Sequence, residues 1–144
     1  MFFGEYEHTI DDKNRLTLPA KFRDALADGL VLTRGLDTCL EVWSRADWDR
    51  RVVQRLDEFD HFSREARKLK RHLFTAASDA DLDKQGRVLV PAALAKRVGL
   101  GREVIVAGVH DHIEIWDRSE WTTHLSAIEG SAGDVAERLA DKRG

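Results

Sequence analysis

Short segments of alternating apolar and polar residues recur along the chain, and this period of two is typical of half-buried β-strands. They lie at about 5–10, 15–18, 30–34, 38–43, 103–107 and 111–116. Two short segments have helical spacing, at about 19–27 and 91–98. Each begins with a proline and is followed within two residues by a glycine, Gly29 or Gly99, as is typical of helix ends. The pattern predicts an α+β chain that is mainly β.

Three longer segments carry apolar residues at helical spacing. One begins after Ser44, which can cap it, and a second, at about 63–75, is strongly basic. The third begins after Asp117. The residues after Glu129 are small and polar, and we expect them to be poorly ordered.

The pattern of the first half recurs in the second half. Residues 10–20 read IDDKNRLTLPA and residues 82–92 read LDKQGRVLVPA, so aspartate, arginine, proline and alanine coincide at an offset of 72. At an offset of 73, LEVW at 40–43 aligns with IEIW at 113–116. Several motifs that recur in the same order indicate an internal duplication.

The duplication divides the chain into two units and two connecting parts. These are a first unit at 1–50, linking helices at 51–76, a second unit at 77–124, and a C-terminal helix end with a flexible tail at 125–144. A unit of about 45 residues is near the lower limit for a core of its own without metal or disulfides. Cys39 is the only cysteine, so no intrachain disulfide can form, and we expect its side chain to pack in a strand. The two units are therefore predicted to share one β-barrel core as a pseudo-dimer.

Each unit carries a four-residue connection between its first two strands. The connection begins with Asp11 or Asp83, whose side chain can bond back to the backbone. It ends with Asn14 or Gly86, and these two residue types best tolerate a left-handed backbone. The pair of sequences predicts a type I turn followed by a left-handed residue in a hairpin.

An arginine follows each connection and completes the motif Asp-x-x-x-Arg, as Asp11 with Arg15 and Asp83 with Arg87. One interpretation is an exposed local salt bridge, which contributes about 0–1 kcal/mol. The other is that the aspartate orients the arginine, whose planar fork then addresses a phosphate or a guanine edge. A salt bridge that stabilises the fold so little need not recur in both units, and its recurrence therefore favours the functional interpretation.

The net charge of −3 is unusual for a nucleic-acid-binding protein, but the charge is segregated along the chain. Residues 84–102 contain five basic and no acidic side chains, whereas residues 37–60 contain seven acidic and four basic ones. This distribution is compatible with one positive face. The basic residues expected to contact phosphates near the two motifs are Lys13, Lys21, Arg23 and Lys84.

Several other classes of protein are disfavoured. The chain has no apolar run of eighteen residues and no signal-peptide core at its N-terminus, so we expect a cytoplasmic protein. It contains no P-loop, GxGxxG or nucleophile elbow. His110 and His112 are close, but a metal needs a third ligand, and the first unit has Asp37 and Cys39 in their places. We therefore expect no catalytic residue, metal or cofactor.

Two segments resemble a known family. Residues 1–26 (MFFGEYEHTIDDKNRLTLPAKFRDAL) resemble the opening of the MraZ family, which belongs to the AbrB-like swapped-hairpin superfamily, and residues 81–94 (DLDKQGRVLVPAAL) resemble its second module. The resemblance extends over about residues 1–125. It implies a transcriptional regulator of the division and cell-wall gene cluster that binds direct repeats of double-stranded DNA in front of its own operon. It also implies a ring homo-oligomer associated with the nucleoid.

The resemblance places the family's DNA-contact motif on Asp11 with Arg15 and on Asp83 with Arg87. Asn14 stands where the family usually has glycine, and because asparagine accepts the left-handed conformation, we expect the turn to form. Two arginines and a few phosphate contacts bind weakly on one protomer, whereas neighbouring protomers of a ring can engage successive repeats and multiply the affinity.

Two alternatives stay open at this point. An antitoxin-like interaction module of the same superfamily usually carries one hairpin unit and a long disordered tail, which this chain does not match. A ring scaffold that makes no specific contact with DNA is compatible with the same sequence.

Overall fold

The first unit folds as a series of short strands with one small helix. The computed structural model describes residues 1–143 of the chain. The elements of the first unit are β1 (Phe2–Thr9), β2 (Arg15–Thr17), α1 (Ala20–Arg23) with a 3₁₀ turn (Asp24–Leu26), β3 (Leu30–Arg34) and β4 (Leu40–Ser44). Strand β1 begins three residues earlier than its alternation predicts, because it pairs with the later strand Glu103–His110 from Phe2 onward.

The rest of the chain comprises linking helices, a second unit and a long final helix. The linking helices are α2 (Arg45–Asp47), a π-helical segment (Trp48–Val53), α3 (Gln54–Asp57) and α4 (Arg64–Phe74). The second unit has β5 (Ser78–Ala80), β6 (Arg87–Leu89), α5 (Ala92–Arg97), β7 (Glu103–His110) and β8 (His112–Asp117), and α6 (Arg118–Arg143) follows. The hydroxyl of Ser44 accepts a hydrogen bond from the backbone N–H of Asp47, which confirms the predicted cap.

The two units exchange strands. A six-stranded antiparallel sheet has the order β1-β7-β8-β4-β3-β5, so the first strand of each unit lies beside the third strand of the other. The remaining strands, β2 and β6, form a separate two-stranded antiparallel ribbon. The presence of both helices and strands confirms the α+β class, but the helices hold more residues than the strands, so the described chain is not mainly β. Within residues 1–143, no pairing joins the edge strands β1 and β5, so the predicted β-barrel is not confirmed.

Both units contribute to one core, as their small size predicts. Side chains from the inner faces of the ribbon and of the six-stranded sheet pack together, with Leu16 and Val88 from the ribbon and Val42 and Ile115 from the sheet all fully buried. The core therefore lies between the two sheets, and the ribbon covers it on one side. Cys39 is buried, as expected, although it lies in the bend just before β4 and not within a strand. Burial together with nearby carboxylates raises the pKa of its thiol.

The C-terminal segment differs from its prediction. Residues predicted to form a flexible tail continue helix α6 as far as Arg143, and only Gly144 lies outside the described residues. The segment contains many alanine, glutamate, arginine and leucine residues, which have high helix propensity, and this outweighs its lack of an apolar stripe. At its start, α6 is attached to β1, because Arg118 donates to Glu7 at 3.1 Å and the indole of Trp121 donates to Glu5. Within the described residues, no helix is both long and apolar enough to cross a membrane.

Candidate nucleic-acid interface

The two predicted turns have the same backbone geometry. In the first turn (residues 11–14), the N–H of Asn14 donates to the carbonyl of Asp11 at 3.0 Å, and Asn14 has a φ of 60°. In the second turn (residues 83–86), the N–H of Gly86 donates to the carbonyl of Asp83 at 3.0 Å, and Gly86 has a φ of 74°. The left-handed position predicted from these two residue types is confirmed.

The aspartate of each motif holds both the turn and the arginine. In the first turn, Oδ1 of Asp11 accepts from the backbone N–H groups of Lys13 and Arg15, each at 2.9 Å. Its Oδ2 accepts from Nε of Arg15 at 2.8 Å. The second turn repeats this arrangement, with Oδ2 of Asp83 accepting from Nε of Arg87 at 2.7 Å. Each carboxylate thus fixes its arginine with one oxygen and its turn with the other.

These hydrogen bonds also keep the carboxylates ionised. The bond from the backbone N–H of Arg15 outweighs the opposing effect of burial and lowers the pKa of Asp11. The backbone N–H of Arg87 lowers the pKa of Asp83 in the same way. Both carboxylates are therefore ionised at neutral pH.

The turns are joined through the β2–β6 ribbon. Leu16 lies opposite Val88 at the centre of the ribbon, and these two residues are equivalent in the duplication. Beyond them, the N–H of Leu18 donates to the carbonyl of Gly86 at 3.0 Å, and the N–H of Val90 donates to the carbonyl of Asn14 at 2.7 Å. Each unit therefore secures the left-handed residue of the other unit's turn.

The outer face of the ribbon presents both motif arginines. Leu16 and Val88 point inward, so Arg15, Thr17, Arg87 and Leu89 share the opposite face. Arg15 lies opposite Leu89, so Arg87 is its diagonal neighbour on the adjacent strand. The backbone positions of such diagonal neighbours are about 7–8 Å apart. The side chains of Arg15 and Arg87 are 31% and 26% exposed, and Leu89 is 59% exposed. Among the hydrogen bonds of residues 1–143, none uses an Nη atom of either arginine, so the outer end of each fork can receive a ligand.

The predicted lysines occupy two different places. Lys13 and Lys84 are exposed on the first and second turns, beside the motif arginines. Lys21 is exposed on α1 and lies over two rings of β1, with Nζ 5.9 Å from the centroid of Phe3 and 5.4 Å from that of Tyr6. The structure thus brings Lys13 and Lys84 to the motifs and directs Lys21 toward the sheet edge.

Arg23, predicted as a phosphate partner, makes two hydrogen bonds within the protein. Its Nε and Nη2 donate to the carbonyl of Leu18 at 3.2 and 3.1 Å, and the guanidinium packs against Gly86. A Cβ at Gly86 would lie 2.1 Å from Nε of Arg23, so this contact requires glycine in the second turn. Ala95, the equivalent of Arg23, leaves open space beside Asn14, a shallow cavity of about 290 Å³. The first turn therefore has room for a side chain where the second has none.

Arg102 supports the first turn from the second unit, although no sequence motif marks this residue. Its Nη1 donates to the carbonyl of Asp11 at 2.9 Å and lies 3.5 Å from a carboxylate oxygen of Asp12. Arg102 is not equivalent to Arg23 in the duplication, and its role depends on packing between units. Sequence spacing within one unit carries no information on such contacts.

The two turns differ in charge at one position. Asp12, whose side chain is fully exposed, occupies the place that Lys84 takes in the second turn. Residues 11–15 consequently carry no net charge, whereas residues 83–87 carry one positive charge. An anionic ligand is attracted more strongly to the second turn than to the first.

Comparison with known proteins decides the family. The sequence model of the family described as "MraZ protein, putative antitoxin-like" matches the chain twice, over residues 1–72 and 73–143. The chain belongs to the MraZ family. The boundary between the two matches falls between residues 72 and 73, near the middle of the chain.

Named MraZ relatives align along almost the whole chain. A protein of Roseiflexus castenholzii is 46% identical over 143 residues, which covers 99% of each chain. A protein of Limosilactobacillus fermentum is 47% identical over 136 residues, 94% of each chain, and one of Heliobacterium modesticaldum is 39% identical over 141 residues, 98% of each chain. All three are named "Transcriptional regulator MraZ", and that name describes a regulator and not an enzyme.

Proposed function

We propose that this MraZ-family chain is a sequence-specific DNA-binding transcriptional regulator that reads double-stranded DNA with Arg15 and Arg87. One observation carries the proposal. Two equivalent aspartates hold two equivalent arginines by Nε on one exposed face, and this leaves the outer nitrogens of both forks for a ligand. The relatives' name supports the regulatory role.

The shape of the β2–β6 ribbon suits the major groove. That groove admits a two-stranded β-ribbon, and an arginine fork pairs with O6 and N7 of guanine through two parallel hydrogen bonds. Diagonal neighbours such as Arg15 and Arg87 have backbone positions about 7–8 Å apart, and this corresponds to about two base-pair steps, since one step rises about 3.4 Å. Leu89, exposed on the same face, can contact a thymine methyl group.

The remaining basic residues contribute unequally. Lys13 and Lys84, exposed on the turns, contact phosphates on either side of the groove and add affinity that depends on salt. Lys21, which lies over β1, attracts phosphates from a greater distance than the two turn lysines do. Arg23 acts as a positioning residue, because its guanidinium is already bonded to Leu18 and holds the second turn.

Assembly completes the proposed mechanism. One protomer offers two specific arginines on a mildly acidic body, and each arginine–guanine pair is worth about 1–3 kcal/mol. A ring homo-oligomer presents identical ribbons in one rotational sense, so neighbouring protomers engage direct repeats and multiply the affinity about 10²–10⁴-fold. The proposed target is the set of direct repeats upstream of the chain's own operon, in the division and cell-wall gene cluster. The protein would act in the cytoplasm, associated with the nucleoid.

The strand exchange supports the architecture that this function requires. Strands β1 and β5 each pair with a strand of the opposite unit, as expected for two AbrB-like swapped-hairpin units in one pseudo-dimeric chain. The exchange places both motifs on the same ribbon, so a single protomer presents both arginines to one groove.

A footprint of the purified protein on the DNA upstream of its own gene tests the proposal. We expect protected direct repeats and, in filter binding at two salt concentrations, tighter binding to this DNA than to a scrambled sequence at both. Equal binding to the two sequences, or none at low salt, would contradict the proposal. That result would favour a ring scaffold or the antitoxin-like interaction module instead.

A further inference from the structure

A cluster of ionisable residues lies on the outer face of the six-stranded sheet, on the side of the core opposite the ribbon. Glu41 on β4 lies directly across from Glu114 on β8, and the two glutamates are equivalent in the duplication. His112, two residues before Glu114, points to the same face and stacks on Trp43 with ring centroids 4.6 Å apart. The side chains of His112, Glu41 and Glu114 are only 13–17% exposed.

The ligand atoms of these residues converge. Nε2 of His112 lies 2.9 Å from Oε2 of Glu114 and 4.0 Å from Oε2 of Glu41, and the three atoms lie within 4.8 Å of one another. Around a tetrahedral ion with bonds of about 2.1 Å, ligand atoms lie about 3.4 Å apart. The two distances from Nε2 of His112 fall on either side of that value, so side-chain rotation would be needed to bring the three atoms to tetrahedral spacing.

Every one of these side chains is oriented by a second partner. The indole N–H of Trp43 donates to Oε1 of Glu41, and that of Trp116 donates to Oε1 of Glu114, each at 3.0 Å. Nδ1 of His112 bonds to Asp111 at 2.8 Å. A histidine that donates one ring nitrogen to a carboxylate while the other faces carboxylate oxygens is the arrangement found around protein-bound metals.

The charge of the cluster favours a cation. The carboxylates of Glu41, Glu114 and Asp111 lie near the imidazole of His112 and the guanidinium of Arg51, which is 3.8 Å from Asp111. A second imidazole, that of His124, also acts on Glu114. With His112 protonated and His124 neutral, these groups carry one net negative charge. A divalent ion in place of the Nε2 proton balances it.

We propose that Glu41, His112 and Glu114 form a binding site for a divalent transition-metal ion of the zinc type. One imidazole nitrogen and two carboxylate oxygens suit Zn²⁺ better than the oxygen-seeking Mg²⁺ or Ca²⁺. Since the two glutamates come from different units, the ion joins the units at the centre of the sheet. The sequence disfavoured a metal because no third ligand was close to His110 and His112. The pairing of β4 with β8 brings two glutamate ligands, Glu41 and Glu114, to His112.

Zinc content tests the site directly. The tag-free full chain is loaded with Zn²⁺, dialysed against metal-free buffer and analysed by mass spectrometry. We expect about one zinc per chain, at least a tenfold loss in His112→Gln and in Glu41→Gln, and no loss in the control His61→Gln, whose residue is exposed and is not a member of the cluster. Circular dichroism establishes that each variant is folded.

Calorimetry separates metal binding from a simple ion pair. Binding of Zn²⁺ at pH 7, measured in two buffers of different ionisation enthalpy, should release about one proton as the ion replaces the Nε2 proton of His112. Trp43→Phe keeps the stacked ring but removes the donor to Glu41, and it should lower the affinity for zinc about 10–100-fold.

Three results would overturn the proposal. They are the absence of stoichiometric zinc in the wild-type chain, equal zinc in folded His112→Gln, and competition by equimolar Mg²⁺ or Ca²⁺ as effective as that by unlabelled zinc. None of them bears on DNA binding, so this inference and the proposed function fail independently.

Discussion

The backbone N–H of Val90 donates to the carbonyl oxygen of Asn14 at 2.7 Å, and this bond ties the first turn to the end of the second unit's ribbon strand. The equivalent bond runs from Leu18 to Gly86. Because both turns depend on the opposite unit, neither motif is an independent module. A substitution that distorts one turn should therefore also perturb the strand that carries the other arginine.

Gly86→Asn should destabilise the protein, although asparagine is the native residue at the equivalent position of the first turn. A Cβ at residue 86 would displace the guanidinium of Arg23 from its hydrogen bonds to Leu18. We expect a loss of about 1–2 kcal/mol in the free energy of unfolding, measured by urea denaturation. In the background Arg23→Ala, the same substitution should cost much less, since the space is then empty. Equal costs in both backgrounds would show that Arg23 does not set the identity of residue 86.

Arg15→Ala should abolish discrimination between operator and scrambled DNA while the fold is retained. Loss of one guanine contact costs about 1–3 kcal/mol per site, and the cost multiplies across a ring. Fluorescence anisotropy with both DNAs measures the ratio of affinities. Arg55→Ala is the matched control, because Arg55 is also an exposed arginine paired with a carboxylate, that of Glu58, but lies on the linking helix α3. Unchanged discrimination in Arg15→Ala would remove Arg15 from the proposed readout.

Asp12→Lys should strengthen binding to DNA of any sequence. The substitution copies Lys84 of the second turn and removes a fully exposed negative charge next to the motif. If the new lysine reaches a phosphate, the slope of log affinity against log salt should steepen by about 0.9 per protomer bound. The ratio of specific to non-specific affinity should stay nearly constant. Asp57→Lys, which makes the same charge change on α3, should leave the slope unaltered, and a similar effect from both variants would indicate a general charge effect.

Much of the fold follows from local sequence signals. The alternation of apolar residues, Pro19 and Pro91 at the starts of short helices, and the choice of Asn14 and Gly86 each act within a few residues. The structure confirms the elements that they predict. The duplication then predicts a shared core, because a single unit is too small to bury one.

Contacts between the units could not be predicted in this way. The support of the first turn by Arg102, the support of the second by Arg23, and the meeting of His112 with Glu41 all depend on strand exchange and register. No spacing along the chain encodes these pairings. The sequence also predicts a flexible tail where α6 continues, because helix propensity acts there without an apolar stripe that would indicate a helix.

His112 should make the metal-free protein lose stability as the pH rises. Burial disfavours the charged ring, but hydrogen bonds to Glu114 and Asp111 outweigh this effect and raise the pKa of His112 to about 9. Because the pKa in the folded state lies above the value of 6.5 for an unperturbed histidine, the stabilisation is complete below pH 6.5 and is lost as the pH rises through about 9.

The measurement compares wild type with His112→Gln in urea denaturation from pH 6 to pH 9.5 with EDTA present. Cys39, whose buried thiol ionises on unfolding, also destabilises both proteins at the alkaline end, and the comparison cancels its contribution. We expect the advantage of wild type over His112→Gln to be greatest near pH 6 and to shrink by about 2–3 kcal/mol at pH 9.5. An advantage that stays constant over this range would mean that His112 is not held in its protonated form by Glu114 and Asp111. The same curves with zinc should flatten for wild type alone, since the bound ion takes the place of the titrating proton.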